Sequence, residues 1–329
     1  MSSYTAVQWL FFFYFYCFFG WCFESTYVSL KKRKLVNRGF IRGPFLPLYG
    51  SGAIMMLLIS IPFQGRLVLM FFAGFVGATA LEYVTGVVME ALFKVRYWDY
   101  SNKKFNFQGH ICLSSSIAWG VLTILVTNGL HKPIERWVLS IPTQILTILT
   151  LILTAYICAD FAVSFKTALD IRDMLYKMEK VKTEMLRMQK RLDVMIAMTS
   201  EELSDRVEEH GERIAQKRDE WKENVNFRME DVKSGVEQKM ERAVEHLASL
   251  KPELSAEKSM EILKKELMEM RIRYNRLVER QNSLSRARDW LQSNMVRSNP
   301  TMSSRYFKEA FEEFRKNLTE KIEDDRDEL

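Results

Sequence analysis

Only four cysteines occur in 329 residues, and none has the paired spacing of a zinc site or of a disulfide framework. Cys17, Cys22, Cys112 and Cys158 all fall inside apolar runs, which favours buried free thiols. No GxxxxGK(S/T) phosphate loop is present, so an ATP-driven process would need a separate ATPase subunit. The first apolar stretch lacks a basic head region and a small-residue cleavage site, being followed by Gly20, Trp21, Cys22, Phe23 and Glu24, and reads as an uncleaved helix. Neither glycine nor proline interrupts Thr143 to His210, which allows one continuous helical rod. The C-terminal half shows no catalytic motif and nothing calls for a cofactor. Its positive charge is interspersed with acids, which argues against nucleic-acid binding.

What is present divides sharply. The chain averages 48% hydrophobic and 27% charged residues with a net charge of +6. Val7 to Phe165 is dominated by Phe, Leu, Ile, Val and Trp, whereas Lys166 to Leu329 is rich in Lys, Arg, Glu, Asp and Met. A membrane domain over 1–165 and a cytoplasmic tail over 166–329 are expected. A helix needs roughly 20 apolar residues to cross the hydrocarbon core, and five candidate runs meet or approach that length. They are Val7 to Leu30, Pro47 to Pro62, Leu67 to Phe93, Ile111 to Leu130 and Trp137 to Phe165. The second is short and crosses only with Pro44 to Leu46 or a tilt. The predicted fold is all-α: a polytopic membrane bundle of about five transmembrane helices, then a coiled-coil and helical domain.

Basic residues orient the bundle. Lys31, Lys32, Arg33, Lys34, Arg38 and Arg42 lie between the first two runs, and Lys94, Arg96, Lys103 and Lys104 between the third and fourth. Both loops should face the cytoplasm, which puts the N-terminus outside and the tail inside. The KKRK run adds attraction for anionic headgroups at about 1 kcal/mol per basic residue.

In the tail, Ile171, Met174, Met178, Val181, Met185, Met188, Leu192 and Met195 alternate steps of three and four, a heptad seam. A second seam runs from Met260 through Leu263, Leu267, Met270, Tyr274, Leu277 and Gln281 to Leu284. Val225, Met229, Val232, Val236, Met240 and Val244 form a third helical stripe with a longer step, and Gly211 and Pro252 are the breaks. Such seams fit a hairpin within one chain, a homo-oligomer or a partner helix. Phe307, Phe311, Phe314, Leu318 and Ile322 mark a separate amphipathic helix.

Ionisable residues within apolar runs are costly and therefore informative. Glu24, Glu82, Glu90 and Asp160 are such residues. Glu82, Gly86 and Glu90 are spaced by four, so they share a helix face that the glycine opens to close approach. The stretch NRGFIRGPFLPLYG, Asn37 to Gly50, breaks regular structure with three glycines and two prolines. Such a backbone can dip to membrane depth if it packs against protein, bringing Arg38 and Arg42 toward the glutamates of the third helix. The loop RYWDYSNKKFNFQGHIC adds Arg96, Asp99, Asn106 and His110 among interfacial aromatics. Glu24, Arg38, Arg42, Glu82, Glu90, Arg96, Asp99, Asn106 and His110 form the candidate site.

GWCFES, NRGFIRGPFLPLYG, LEYVTGVVMEALF, WDYS, Asn106 and GHIC, in that order, resemble the bacterial ABC-transporter type IV permease family over the first half of the chain. The family's usual basic residue before Ile-Cys is arginine, where this chain has His110. The resemblance implies a permease subunit in the cell membrane, although no EAA-type coupling loop is evident. Two other readings stand beside transport. One is a membrane-anchored scaffold working through its coiled coil. The other is an intramembrane enzyme using His110 with Ser114, Ser115 or Ser116.

Overall fold

The computed structural model describes residues 4–199, 229–249, 257–286 and 290–327. Gly211, Val225 and Pro252 lie outside these residues, as do the side chains of Met195, Met229, Met260, Leu263 and Ile322. Two compact units emerge, Met1–Arg172 with Asp289–Tyr306, and Asp173–Arg288 with Phe307–Leu329.

The first unit opens with α1 (Ala6–Lys32), started by a Thr5 cap that accepts from the Gln8 amide while the Gln8 side chain accepts from the Thr5 amide. Lys31 and Lys32 occupy its last turn, where cations suit the helix dipole, and Arg33 ends it in the left-handed conformation. The chain then folds back. The Leu46 amide donates to the Cys17 carbonyl at 2.9 Å, and α2 (Pro47–Ser60) begins against the middle of α1. Cys17 precedes Lys32 by 15 residues, so the 33–46 connection returns about 22 Å along α1. Gly50 makes the contact possible, since a Cβ there would collide with Cys17 Sγ. A 3₁₀ turn (Ile61–Phe63) and Gly65, at φ +80°, lead into α3 (Leu67–Phe93).

The second loop also turns inward. It carries a two-residue hairpin, β1 (Asn106–Phe107) against β2 (Ile111–Cys112), before α4 (Leu113–Leu125). A π-helical stretch (Val126–Leu130) joins α4 to α5 (His131–Ser140), and α6 (Thr143–Thr199) follows Pro142. α3 and α4 pack closely where Gly74 faces Thr123 and Gly120 faces Phe71; side chains at either glycine would collide with them.

Among the described residues, four helices are long and apolar enough to cross a membrane: Ala6–Lys32, Leu67–Phe93, Leu113–Ser140 and Thr143–Val194. The expected count of five is corrected at its second member. Pro44 and Pro47 lack amide donors and stop α2 from extending backwards, so that path combines an irregular loop with a 14-residue helix. The next run continues to Ser140 rather than ending at Leu130, and the last helix starts at Thr143 because Pro142 holds Ile141 extended. Phe23, Val76 and Leu151 are about two-thirds exposed, as lipid-facing side chains would be. Phe12, Met56, Leu57, Ala78, Val138 and Leu146 form a buried cluster between the helices.

In the second unit, the seam residues of α6 bury those of α7 (Met229–Ser249) and α8 (Glu257–Arg286). Val181, Met185, Met188 and Leu192 meet Val232, Val236, Met240, Leu267, Tyr274 and Leu277 in one cluster. α10 (Lys308–Asp327) adds buried Phe311 and Phe314. Lys182 pairs with Glu309, and Gln281 Nε2 donates to both Glu313 oxygens at 3.1 Å. The short helix α9 (Trp290–Ser298) belongs to the first unit.

Candidate functional site

Gly86 is where the second loop reaches into α3. A Cβ on Gly86 would stand 2.9 Å from His110 Nδ1, so the absent side chain is what admits the imidazole. His110 Nε2 lies 3.0 Å from Glu90 Oε2, which also receives Arg96 Nη2 at 2.8 Å. Arg96 Nη1 stands 3.6 Å from Asp99 Oδ1, and Gly109, at φ +74°, is packed against both. Arg96 is 3% exposed, and among the described residues its Nε and Nη1 have no hydrogen-bond acceptor. Burial lowers the affinity of His110 for a proton, and the Arg96 charge adds to this against Glu90. The ring is therefore neutral, with Nε2–H donating to Glu90.

One helical turn pair earlier on the same face is Glu82, 4% exposed. The Tyr100 hydroxyl donates to Glu82 Oε1 at 3.1 Å; Ser115 Oγ and Trp119 Nε1 reach Oε2 at 3.2 and 3.0 Å. Ser115 and Trp119 come from successive turns of α4, which starts at this depth because β2 delivers Cys112 there. Burial, reinforced by the charge of Glu82, pushes the Tyr100 phenol up and keeps it a neutral donor. Among the described residues no cation pairs with Glu82.

Glu24 is met by two groups of the first loop and α2. Arg38 Nε lies 3.5 Å from Oε1, and the Tyr49 hydroxyl donates to Oε2 at 2.8 Å. Gly20 leaves room for Tyr49, whose ring a Cβ would overlap. Arg38 thus meets the glutamate of α1 instead of those of α3. Arg42 is elsewhere, 5.3 Å over the Trp290 ring, and Asn106 ties the hairpin turn to Ser101 and Lys103 carbonyls. Asp160 accepts from the Gly43 amide at 2.6 Å and so holds the first loop against α6. Partial burial draws the Asp99 carboxyl up, but hydrogen bonds from Ser101 and Ser303, with the Arg96 charge, outweigh it and set a net downward shift.

Four carboxylates, Glu24, Glu82, Glu90 and Asp99, thus gather with two guanidiniums, Arg38 and Arg96. With His110 neutral, two negative charges are unmatched, which suits a proton or a cation better than an anion. His110 does not form a nucleophile pair: among the described residues no hydrogen bond joins it to Ser114, Ser115 or Ser116, which bond instead to Cys112 and Glu82. No group of three or more metal-ligating side chains occurs among the described residues.

A second polar cluster escaped the sequence reading. His131, 2% exposed, lies between Tyr4 and Tyr16 of the first segment, Nε2 to Tyr4 at 3.1 Å and Nδ1 to Tyr16 at 2.8 Å. The one Tyr4 hydroxyl hydrogen goes to Glu135 Oε1 at 2.5 Å, so Tyr4 accepts from Nε2–H and Tyr16 donates to Nδ1. The clue was a histidine inside an amphipathic ten-residue stretch between two apolar runs, at the exit of the π-helical segment. Tyr49, Tyr100 and Trp119 were also missed; Ser115 and Trp119 are four apart, which places them on one face.

Apolar helices around a buried, charged interior define an integral membrane protein. Residues 11–165, which contain every candidate site residue, match the family described as "Putative ABC-transporter type IV". No curated protein and no solved structure matches the chain.

Proposed function

We propose that the chain is a permease subunit of an ABC-type transporter in a bacterial cell membrane, with its N-terminus outside and its second unit cytoplasmic. The observation that carries this reading is Glu82: a buried carboxylate held by three neutral donors and, among the described residues, by no cation. A carboxylate in that setting takes up a proton or a transported cation when one arrives. Ser115 suits both states. Its single hydrogen goes to Glu82 in the charged state; it turns to the Cys112 carbonyl, 2.9 Å away, when a protonated Glu82 donates to the serine oxygen. The basic residues of the two inward-turning loops support the orientation. The seams of the second unit bury one another within one chain, which favours an intramolecular coiled-coil bundle over a homo-oligomer.

The sequence has no phosphate loop, and this reading assigns ATP hydrolysis to a P-loop ATPase partner. The test is purification of the intact protein in mild detergent, comparing wild type with Glu82→Gln. Recovery of a P-loop ATPase with both, and loss of its stimulated turnover in Glu82→Gln alone, is expected. Partners that depend only on the second unit, with no ATPase recovered, would make the chain a membrane-anchored scaffold.

A further inference from the structure

The segment after α9 lies against the two loops that carry the charge cluster. Ser303 pairs with Arg96 through both main-chain bonds, Arg96 N to Ser303 O at 2.7 Å and Ser303 N to Arg96 O at 3.0 Å. Side chains then reach the loops both from a turn, closed by Met302 N donating to Asn299 O at 2.9 Å, and from the extended residues around Ser303. Asn299, 2% exposed, accepts from Arg38 Nη1 at 3.3 Å and donates to the Gly39 carbonyl at 2.9 Å. Thr301 accepts from Arg38 Nη2 and donates to the Tyr97 carbonyl; Ser303 donates to Asp99 Oδ2 at 3.0 Å; Arg305 reaches the Gln108 carbonyl at 3.1 Å. Lys94 over Tyr306 and Arg42 over Trp290 close the two ends.

These contacts read the main chain and the charges of both loops, which is how a sheet edge recognises a peptide. The segment lies beyond the part of the chain that matches the family, so it is an addition to that membrane fold. We propose that the two loops form a receptor for a short peptide that turns and then pairs with Arg96, that residues 299–305 are its resident ligand, and that their release opens the charge cluster to water. The opening step rests on the transport reading; the docking does not. On its C-terminal side the segment leads directly into the second unit, where α10 starts at Lys308, so rearrangement of that helix reaches it through the chain. A partner offering an amide, two hydroxyls and a guanidinium at alternate positions would compete for the same surface.

The test uses the full-length protein in lipid nanodiscs, reading amide hydrogen exchange over 94–109 and phenylglyoxal modification of Arg38 and Arg96 by mass spectrometry. Asn299→Ala combined with Ser303→Pro removes the side-chain clamp and one main-chain bond. Exchange and arginine modification should rise at least about tenfold while α3 stays protected, and a synthetic peptide of residues 298–306 should restore protection. Unchanged protection, or a peptide that fails to restore it, overturns the proposal. Should the double variant lose α3 protection, Asn299→Ala alone decides: a smaller rise in Arg38 modification supports the clamp, and no rise refutes it. Because no readout depends on an ATPase or on Glu82, failure of the transport reading would leave this result standing, and the reverse holds too.

Discussion

Glu90→Gln should be among the most damaging single changes in the membrane half. Among the described residues, Glu90 is the one carboxylate within hydrogen-bond distance of the Arg96 guanidinium, at 2.8 Å, and the next, Asp99, stands at 3.6 Å. Arg96 is 3% exposed and two of its nitrogens lack acceptors among the described residues. Removing one partner of a buried pair leaves an uncompensated charge and costs about 3–5 kcal/mol, whereas replacing both by apolar groups is often close to neutral. Arg96→Met should cost less than Glu90→Gln, because His110 Nε2 continues to donate to Glu90 at 3.0 Å. The double variant should fall short of the sum of the singles by about 2 kcal/mol, within the range found for residues in contact. Unfolding in mixed micelles under increasing SDS, read by tryptophan fluorescence, gives the three differences. Additive effects, or a loss under about 1 kcal/mol for Glu90→Gln, would mean that water already solvates the pair and would refute the buried-cluster argument.

Other consequences follow from single contacts. Gly109→Ala combines an unfavourable φ of +74° with a Cβ pressed against Arg96, Asp99 and Ser101, and should destabilise by about 1–3 kcal/mol in the same unfolding assay. Gly86→Leu should expel His110 and be seen as raised amide exchange across 106–112, with helix propensity too small a gain, about 1 kcal/mol, to offset it. Acid should loosen the second loop: the Asp99 carboxyl and the His110 ring are both shifted down, so each stabilises above its ordinary pKa, near 4 and 6.5, and that contribution is lost as pH falls below it. Stability between pH 7 and pH 4 should therefore fall less in His110→Asn than in wild type, and the further loss below pH 4 should be smaller in Asp99→Asn. Nitrogen NMR of ¹⁵N-histidine protein should show His131 as the Nε2–H tautomer, and Tyr4→Phe should perturb its Nε2 resonance more than Tyr16→Phe does.

Much of this arrangement was legible in the sequence. The i, i+4 spacing of Glu82, Gly86 and Glu90 placed them on one buried face, and the glycines and prolines of Asn37 to Gly50 marked a backbone that leaves regular structure inside the bundle. Which arginine meets which glutamate was not, because it depends on how far each loop folds back: Arg38 stops beside Glu24, and Arg96 serves Glu90. The number of long helices was overcounted because apolar composition alone does not reveal that Pro44 and Pro47 cut the second run short. The docked segment was invisible for a different reason. Its recognition uses main-chain bonds and small polar side chains from Asn299 to Arg305, which leave no hydrophobic period.

Infrared difference spectroscopy of the protein in bilayers, taken between high and low pH and again on addition of cations, tests Glu82 most directly. The account predicts a protonated-carboxyl band that changes with these conditions in wild type and is missing in Glu82→Gln. Ser115→Ala should also move the frequency of that band, since Ser115 Oγ, 3.2 Å from Glu82 Oε2, would accept the proton of the protonated carboxyl. A spectrum identical in wild type and Glu82→Gln would show that Glu82 exchanges neither proton nor cation, and would contradict its place at the centre of a transport site.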